Sequence, residues 1–563
     1  MVRLFFLSPK IHRPTFPSFV AASCLFAFSS NRGFTLSCAR RIRLTVRPPS
    51  LIFDGMNPES MGAADEAGRE PTPAADTMDG RRRELTSLRT KLFYGSGSIA
   101  FGVKDNGFQT ILLPFYNLVL HVPAQLVGLA IFVALVVDAF LDPVVGQISD
   151  NLRSRWGRRH PLMYLSALPV AVSYLLLWNP PHWSQGALFF YLVIVAIVVR
   201  TFITFYEIPS SALVPELTED YDERTSFVGY RVFFAWYGGL SMSLLAFLVF
   251  MHADAAHKVG QLNPVGYSRY GLTAAVVMFV AILISAAGTH RFIPLFRKPA
   301  ARRLTLLQYG REMLATLNNR AFLVLLVAAV FLNLATGLVF ALSFYVNTFF
   351  WKINNTQIAF LTFATFIAVL LGFAVALPLS RRFGKKLSAT MMFALGLTIN
   401  STPLVLGLFG VLAAKASPGL VWLLFGATAI GSGLAIGSSI MIVSMIADIV
   451  EDSEKRTGRR SEGLFFAGNS FIQKAASGGG LFGSGLVLWA AHFPSDRMPG
   501  NVEPHIVWNF AVLYLSTVVV LYAIGFLIIS RFPIDRAAHA ETLRQLAAQA
   551  GAGLIDRPPA PMV

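Results

Sequence analysis

Hydrophobic positions gather along this chain into twelve stretches of about the length that crosses a bilayer, at roughly 92–119, 125–148, 162–179, 186–214, 228–251, 270–293, 321–350, 357–379, 387–413, 419–446, 463–491 and 506–530. The connections between them alternate in basic content. Arg153 to Arg159, Arg291 to Arg320, Arg381 to Lys386 and Lys455 to Arg460 are rich in Lys and Arg, and all fall on the side shared with the amino terminus. The opposite side carries isolated cases such as Lys258, Lys352, Lys415 and Arg497. Basic connections stay in the cytoplasm, so both termini are expected there.

The longest basic connection follows the sixth stretch and divides the set in two. A repeat supports the division: Arg155-Trp156-Gly157-Arg158-Arg159 follows the second stretch, and Arg382-Phe383-Gly384-Lys385-Lys386 follows the eighth, the equivalent place in the second half. The expectation is an all-α integral membrane protein with twelve transmembrane helices in two six-helix halves, the architecture of the major facilitator fold. Its parts are a leader and tail over 1–90, a first half over 91–294, a central cytoplasmic loop over 295–320, a second half over 321–532 and a cytoplasmic tail over 533–563.

One stretch, Asp138 to Pro161, stands out chemically. Gln125 to Val137 is almost uninterruptedly apolar, which places Asp138 and Asp142 near the middle of a membrane segment. Four residues apart, they share a helix face, and unpaired carboxylates in hydrocarbon would cost at least about 2 kcal/mol each. They are therefore expected to face a polar interior. Other ionisable groups inside the apolar stretches are Lys104 and Asp105 in the first, Arg200 and Glu207 with Thr204 in the fourth, Arg231 in the fifth, and Lys474 beside Asn469 and Ser470 in the eleventh. Asp105, Asp138, Asp142 and Glu207 can neutralise Lys104, Arg200, Arg231 and Lys474, as a low-dielectric cavity requires. Static ion pairs locking helices together are the plainer reading. However, Lys474 alone lies in the second half, so a pair between the halves could be made and broken as they rock. Arg231 is equally readable as an anchor reaching for the interface. The acidic run Glu216 to Arg224 reads as a solvated loop or gate cap, since it lacks the spacing of a calcium loop.

Composition narrows the class. Of 563 residues, 55% are hydrophobic and 14% charged, which excludes an ordinary soluble domain. The net charge of +17 resides largely in basic connections and the leader, so nucleic-acid binding is not expected. Cys24 and Cys38 both fall in that leader, which leaves no cysteine for a disulfide or metal site in the membrane part. Residues 1–53 contain no Asp or Glu and eight arginines or lysines, a composition resembling an organellar transit peptide. Translation from Met56, Met61 or Met78 would equally leave it out. Residues 54–90, rich in Gly, Ala, Pro and acids, read as a disordered cytoplasmic tail.

These residues together resemble the glycoside-pentoside-hexuronide:cation symporters, the melibiose-permease branch of the major facilitator superfamily, over nearly all of 88–535. The resemblance rests on Lys91-Leu92-Phe93-Tyr94-Gly95, Lys104-Asp105, Asp138 through Pro161, Glu207-Ile208-Pro209 to Leu213-Val214-Pro215 and Tyr230-Arg231-Val232-Phe233-Phe234. It extends to Ala447-Asp448, Glu451-Asp452, Glu462, Asn469-Ser470 and Lys474. It implies a cation site at Asp138, Asp142 and Thr204, for Na⁺ or a proton. It implies sugar-binding groups at Lys104, Asp105, Glu207, Arg231, Ser470 and Lys474, and gating or structural roles for Arg155, Arg158, Arg159, Arg200, Asp448, Asp452 and Glu462. The implied protein is a monomeric, multi-pass transporter of the inner membrane, surrounded by lipid, using no cofactor besides its coupling ion.

Three departures matter. Leu141 stands where the melibiose-permease pattern has an asparagine, which weakens a Na⁺ site and favours a proton. Glu207 stands for an aspartate, and Ser211 for the tryptophan on which a sugar ring would stack. Arg200 has no counterpart in that pattern. One turn before Thr204, it is in reach of Asp138 as a built-in cation. The same architecture also resembles vertebrate lysolipid symporters, so lipid is the nearest alternative substrate. An intramembrane prenyltransferase would use two acid pairs such as Asp138-x-x-x-Asp142 and Asp448-x-x-x-Asp452 to hold Mg²⁺ and a diphosphate. The first pair is mid-membrane and the second at a cytoplasmic end, so the two are not expected to converge, and no enzyme is expected.

Overall fold

The computed structural model describes residues 84–218, 220–253, 259–296, 319–412, 417–457, 462–494, 501–534 and 536–551. The leader, most of the tail before the first helix, most of the central loop, Lys258, Lys415, Arg497, and the Arg459 and Arg460 end of one basic connection lie outside the described residues.

Helices follow one another with short connections. The first, α1, is a helical run over 88–119 assembled from Leu88–Ser96, Ser98–Asn106, Leu112–Pro114 and two π-helical turns, Gly107–Ile111 and Phe115–Val119. Then come α2 (Ala124–Asn151), α3 (His160–Leu177), α4 (Gln185–Ser211), α5 (Tyr221–Leu245) and α6 (Pro264–His290). The second half has α7 (Arg320–Tyr345), α8 (Asn355–Phe383), α9 (Lys385–Leu408), α10 over 418–457, α11 (Glu462–Ala490) and α12 (Pro504–Ile529). A last helix, α13 (Arg536–Gly551), packs on α10. Among the described residues, ten helices, α2 to α10 and α12, are long and apolar enough to cross a membrane. Besides α13, the helices outside that set are α1 and α11, which carry Lys104 with Asp105 and Lys474.

Polar residues set the starts. The Asn319 side chain accepts from the backbone N–H groups of Ala321 and Phe322 to cap α7, and Asn354 with Gln357 forms a reciprocal capping box on α8. Asp220 caps α5 by accepting from Glu223 N–H, so that helix begins inside the acidic run, seven residues before the apolar stretch does. Similarly, α10 continues through Asp448 and Asp452 to Thr457, past the end of its apolar stretch and into the basic connection. Hydrophobicity marks where a helix leaves the membrane, whereas capping and side-chain pairing decide where it ends.

The repeated loop has a repeated backbone. Gly157 and Gly384 adopt φ of 74° and 79°, a left-handed turn that favours glycine at the same place in both halves. Between the halves, α2 and α11 pack closely because both offer glycine: a Cβ on Gly128 would stand 2.8 Å from the Leu481 carbonyl oxygen, and one on Gly485 2.5 Å from that of Ala124. At the end away from the basic loops the halves are also tied by hydrogen bonds. Tyr345 O–H donates to Asn117 Oδ1 (2.7 Å), Thr348 O–H to Gln261 Oε1 (2.9 Å), and the Asn355 amide to the Met251 carbonyl.

Candidate substrate and ion site

Position four residues apart on α2 turns Asp138 and Asp142 to the same side, toward α4 and α11. On α4, Arg200 and Thr204 are likewise one turn apart and both reach Asp138. Arg200 donates through Nη2 (2.7 Å) and Nε (3.2 Å) to Oδ2, and Thr204 O–H donates to Oδ1 at 2.7 Å. From α11, Lys474 Nζ lies 2.6 Å from Asp142 Oδ2 and 3.1 Å from Asp138 Oδ2. One ammonium of the second half thus bridges two carboxylates of the first.

The two acids differ sharply in surroundings. The Asp138 side chain is 1% exposed and both its oxygens accept hydrogen bonds. The Asp142 side chain is 19% exposed, and its buried Oδ1 has no hydrogen-bond partner among the described residues. Arg200 additionally lies over the Phe108 ring, 5.5 Å from its centroid, which fixes the guanidinium plane from the α1 side.

The remaining ionisable groups pair off nearby. Lys104, almost fully buried, holds Asp105 at 2.7 Å, and Asp105 is about half exposed. The π-helical turn Gly107–Ile111 follows directly, and such turns shift the register of side chains around it. Arg231 on α5 lies over Phe101 and reaches Glu207 (3.9 Å to Oε1, 3.3 Å to its carbonyl oxygen) and Tyr94 O–H (3.4 Å). It therefore points inward to a partner and is not an anchor reaching for the interface. Ser470, half buried, sits one turn from Lys474 on α11. Each of the four bases expected inside the membrane has at least one of the four acids as partner.

At the basic-loop end, Arg158 and Arg159 both donate to Glu216 Oε1 (2.7 and 3.2 Å), and Arg159 also reaches Asp150 (2.6 Å). Of the acidic run, Glu216 is thus a cap on the loop rather than a solvated group. Arg155 is exposed and lies over Trp156. In the second half Lys385 pairs with Asp448 at 2.5 Å. The Glu462 side chain lies outside the described residues. His539 of α13 contacts Glu451 (2.7 Å) and Asp448 (3.5 Å). Sequence reading missed His539 because nothing in the polar tail signals that it folds back. The two acid pairs considered for diphosphate binding are engaged separately, Asp138 and Asp142 by α4 and α11, Asp448 by α9.

Two helical halves meeting over a neutral cluster of ionisable groups define a secondary transporter of the major facilitator type, not an enzyme. The chain belongs to the family described as MFS/sugar transport protein, whose model matches residues 93–536. Relatives include the uncharacterized symporter sll1374 of Synechocystis, 29% identical across 83% of this chain and 98% of its own length. The isoprimeverose transporter of Lactiplantibacillus pentosus is 24% identical across 80% of this chain and 92% of its own. The sphingosine-1-phosphate transporter MFSD2B of Mus musculus is 26% identical across 84% and 94%.

Proposed function

We propose that this multi-pass membrane protein couples the uptake of a sugar or glycoside to a cation by alternating access, and that the cation is a proton. The observation that carries the reading is the bridge from Lys474 to Asp138 and Asp142, a contact between halves that must change when the halves rock. Asp138 has no free oxygen for Na⁺, and a Na⁺ ion there would meet the Arg200 guanidinium at close range in a low dielectric. Arg200 takes the place of a bound metal cation. Asp142, partly exposed and with one oxygen unpartnered, is left as the group that takes up and releases a proton. Protonated Asp142 holds Lys474 less strongly, which lowers the cost of separating α2 from α11. By linkage, a substrate that favours the separated state favours protonation in turn.

Asp105, Glu207, Arg231, Lys104 and Ser470 supply the hydrogen bonds that sugar hydroxyls need, with Lys474 available to them once released. Twelve crossings, a monomer, both termini in the cytoplasm and an inner-membrane location complete the reading. The bonds at Asn117, Gln261 and Met251 then close the outer side. A second reading, a phospholipid-like substrate, is favoured by the similarity to a sphingosine-1-phosphate transporter and by Ser211 in place of a stacking tryptophan.

The test is uptake of labelled glycosides, pentosides, hexuronides and lysophospholipids into proteoliposomes under a proton gradient, a Na⁺ gradient or neither. Accumulation of a sugar under the proton gradient alone is expected. Accumulation of the lysophospholipid alone would establish the second reading, and gradient-independent entry of all solutes would reject coupling.

A further inference from the structure

The two halves carry the same loop and complete it differently. In the first, the basic pair Arg158 and Arg159 is neutralised by Glu216 and Asp150. In the second, Lys385 has Asp448, but Lys386 donates to the backbone carbonyl of Phe532 (2.7 Å) and, among the described residues, meets no carboxylate. Both lysines occupy the first two positions of α9, where the helix dipole disfavours a cation and favours an anion.

A cavity of about 740 Å³ opens against them, lined by Arg381, Phe383, Lys385, Lys386, Leu387 and His539. Besides these basic groups its lining holds one carboxylate, Asp448, which is paired with Lys385, and the apolar side chains of Phe383, Leu387, Met445 and Ile534 beside Ser380, Thr390 and Ser530. Leu387, Met391 and Leu395, all exposed, continue from the cavity along one face of α9 at a spacing of four residues. A basic cavity at the cytoplasmic end of a membrane helix, leading onto an exposed apolar ridge, has the two chemistries of an acidic phospholipid: a phosphate and acyl chains.

We infer that this cavity binds the phosphate-bearing headgroup of an acidic phospholipid, with the phosphate against Lys386 and Arg381 and an acyl chain along Leu387, Met391 and Leu395. The site is separate from the ion pairs between α2, α4 and α11, and the inference holds whatever solute is carried.

Native mass spectrometry of the full-length protein, titrated with phosphatidylglycerol, phosphatidylcholine or inorganic phosphate, tests it. Phosphatidylglycerol is expected to stay bound where phosphatidylcholine does not. Lys386→Gln is expected to weaken its binding about fivefold, the effect of one surface cation on an anionic lipid. Lys386→Arg and Lys352→Gln, a lysine on the opposite side, should bind as the native chain does. Arg381→Gln gives an independent reading of about the same loss if Lys386→Gln does not fold. Equal retention of the two lipids, native-like binding by both glutamine variants, or displacement of the lipid by inorganic phosphate at equal concentration would each overturn the inference.

Discussion

Asp138 and Asp142 lie one helical turn apart on α2, yet the regions around them are built for different work. Around Asp138, Arg200 and Thr204 come from α4 of the same half, so their bonds persist while the halves move as units. Around Asp142, the one hydrogen-bond partner among the described residues is Lys474 of the other half, and one carboxylate oxygen is left over. The difference teaches that a charge pair within a half can serve as structure, whereas a pair between halves can serve as a switch. Position in the membrane is nearly the same for both; the identity of the partner helix separates them.

Substitutions can break this comparison at several points. Asp138→Asn should have the largest effect on folding, because it leaves Arg200 buried and uncompensated; loss of one partner of a buried pair costs about 3–5 kcal/mol. Thermal unfolding in detergent measures it, and adding Arg200→Gln to Asp138→Asn should recover most of the loss. Lys474→Gln comes next. It leaves two neighbouring carboxylates without their shared cation, and should lower the unfolding temperature less than Asp138→Asn while abolishing accumulation in proteoliposomes. Thr204→Val removes one hydrogen bond of about 1 kcal/mol from Asp138, visible as a small drop in unfolding temperature with coupling retained. Asp142→Asn should disturb folding least of all, since Asn keeps the shape and Lys474 still has Asp138. If Asp142→Asn were as destabilising as Asp138→Asn, the two regions would not differ in the way described.

Much of this was legible in the chain itself. Apolar length and basic alternation located the helices, and the Trp-Gly-Arg-Arg and Phe-Gly-Lys-Lys loops located the halves because a left-handed turn needs glycine in the same place twice. Arg200 within reach of Asp138 followed from one turn of α4. The acidic run was readable as a solvated loop or a gate cap, but its pairing of Glu216 with Arg158 and Arg159 was not, since the partners depend on where the loop opposite is placed. Nor did the return of α13 to Asp448 and Glu451, because a single histidine in a polar tail carries no periodic signal. The bridge by Lys474 lay between: its depth in α11 was readable, but which acids it meets, Asp142 being 332 residues away in sequence, depends on how the two halves dock.

The central claim is that Asp142 carries the coupled proton while Arg200 occupies the cation position at Asp138. Its most direct test is the pH of a weakly buffered, Na⁺-free suspension of proteoliposomes on addition of transported substrate. The native protein should alkalinise the medium by about one proton per substrate carried, and Asp142→Asn should not, although it still exchanges internal for external substrate. An absence of alkalinisation in the native protein, with uptake that requires Na⁺, would contradict the claim.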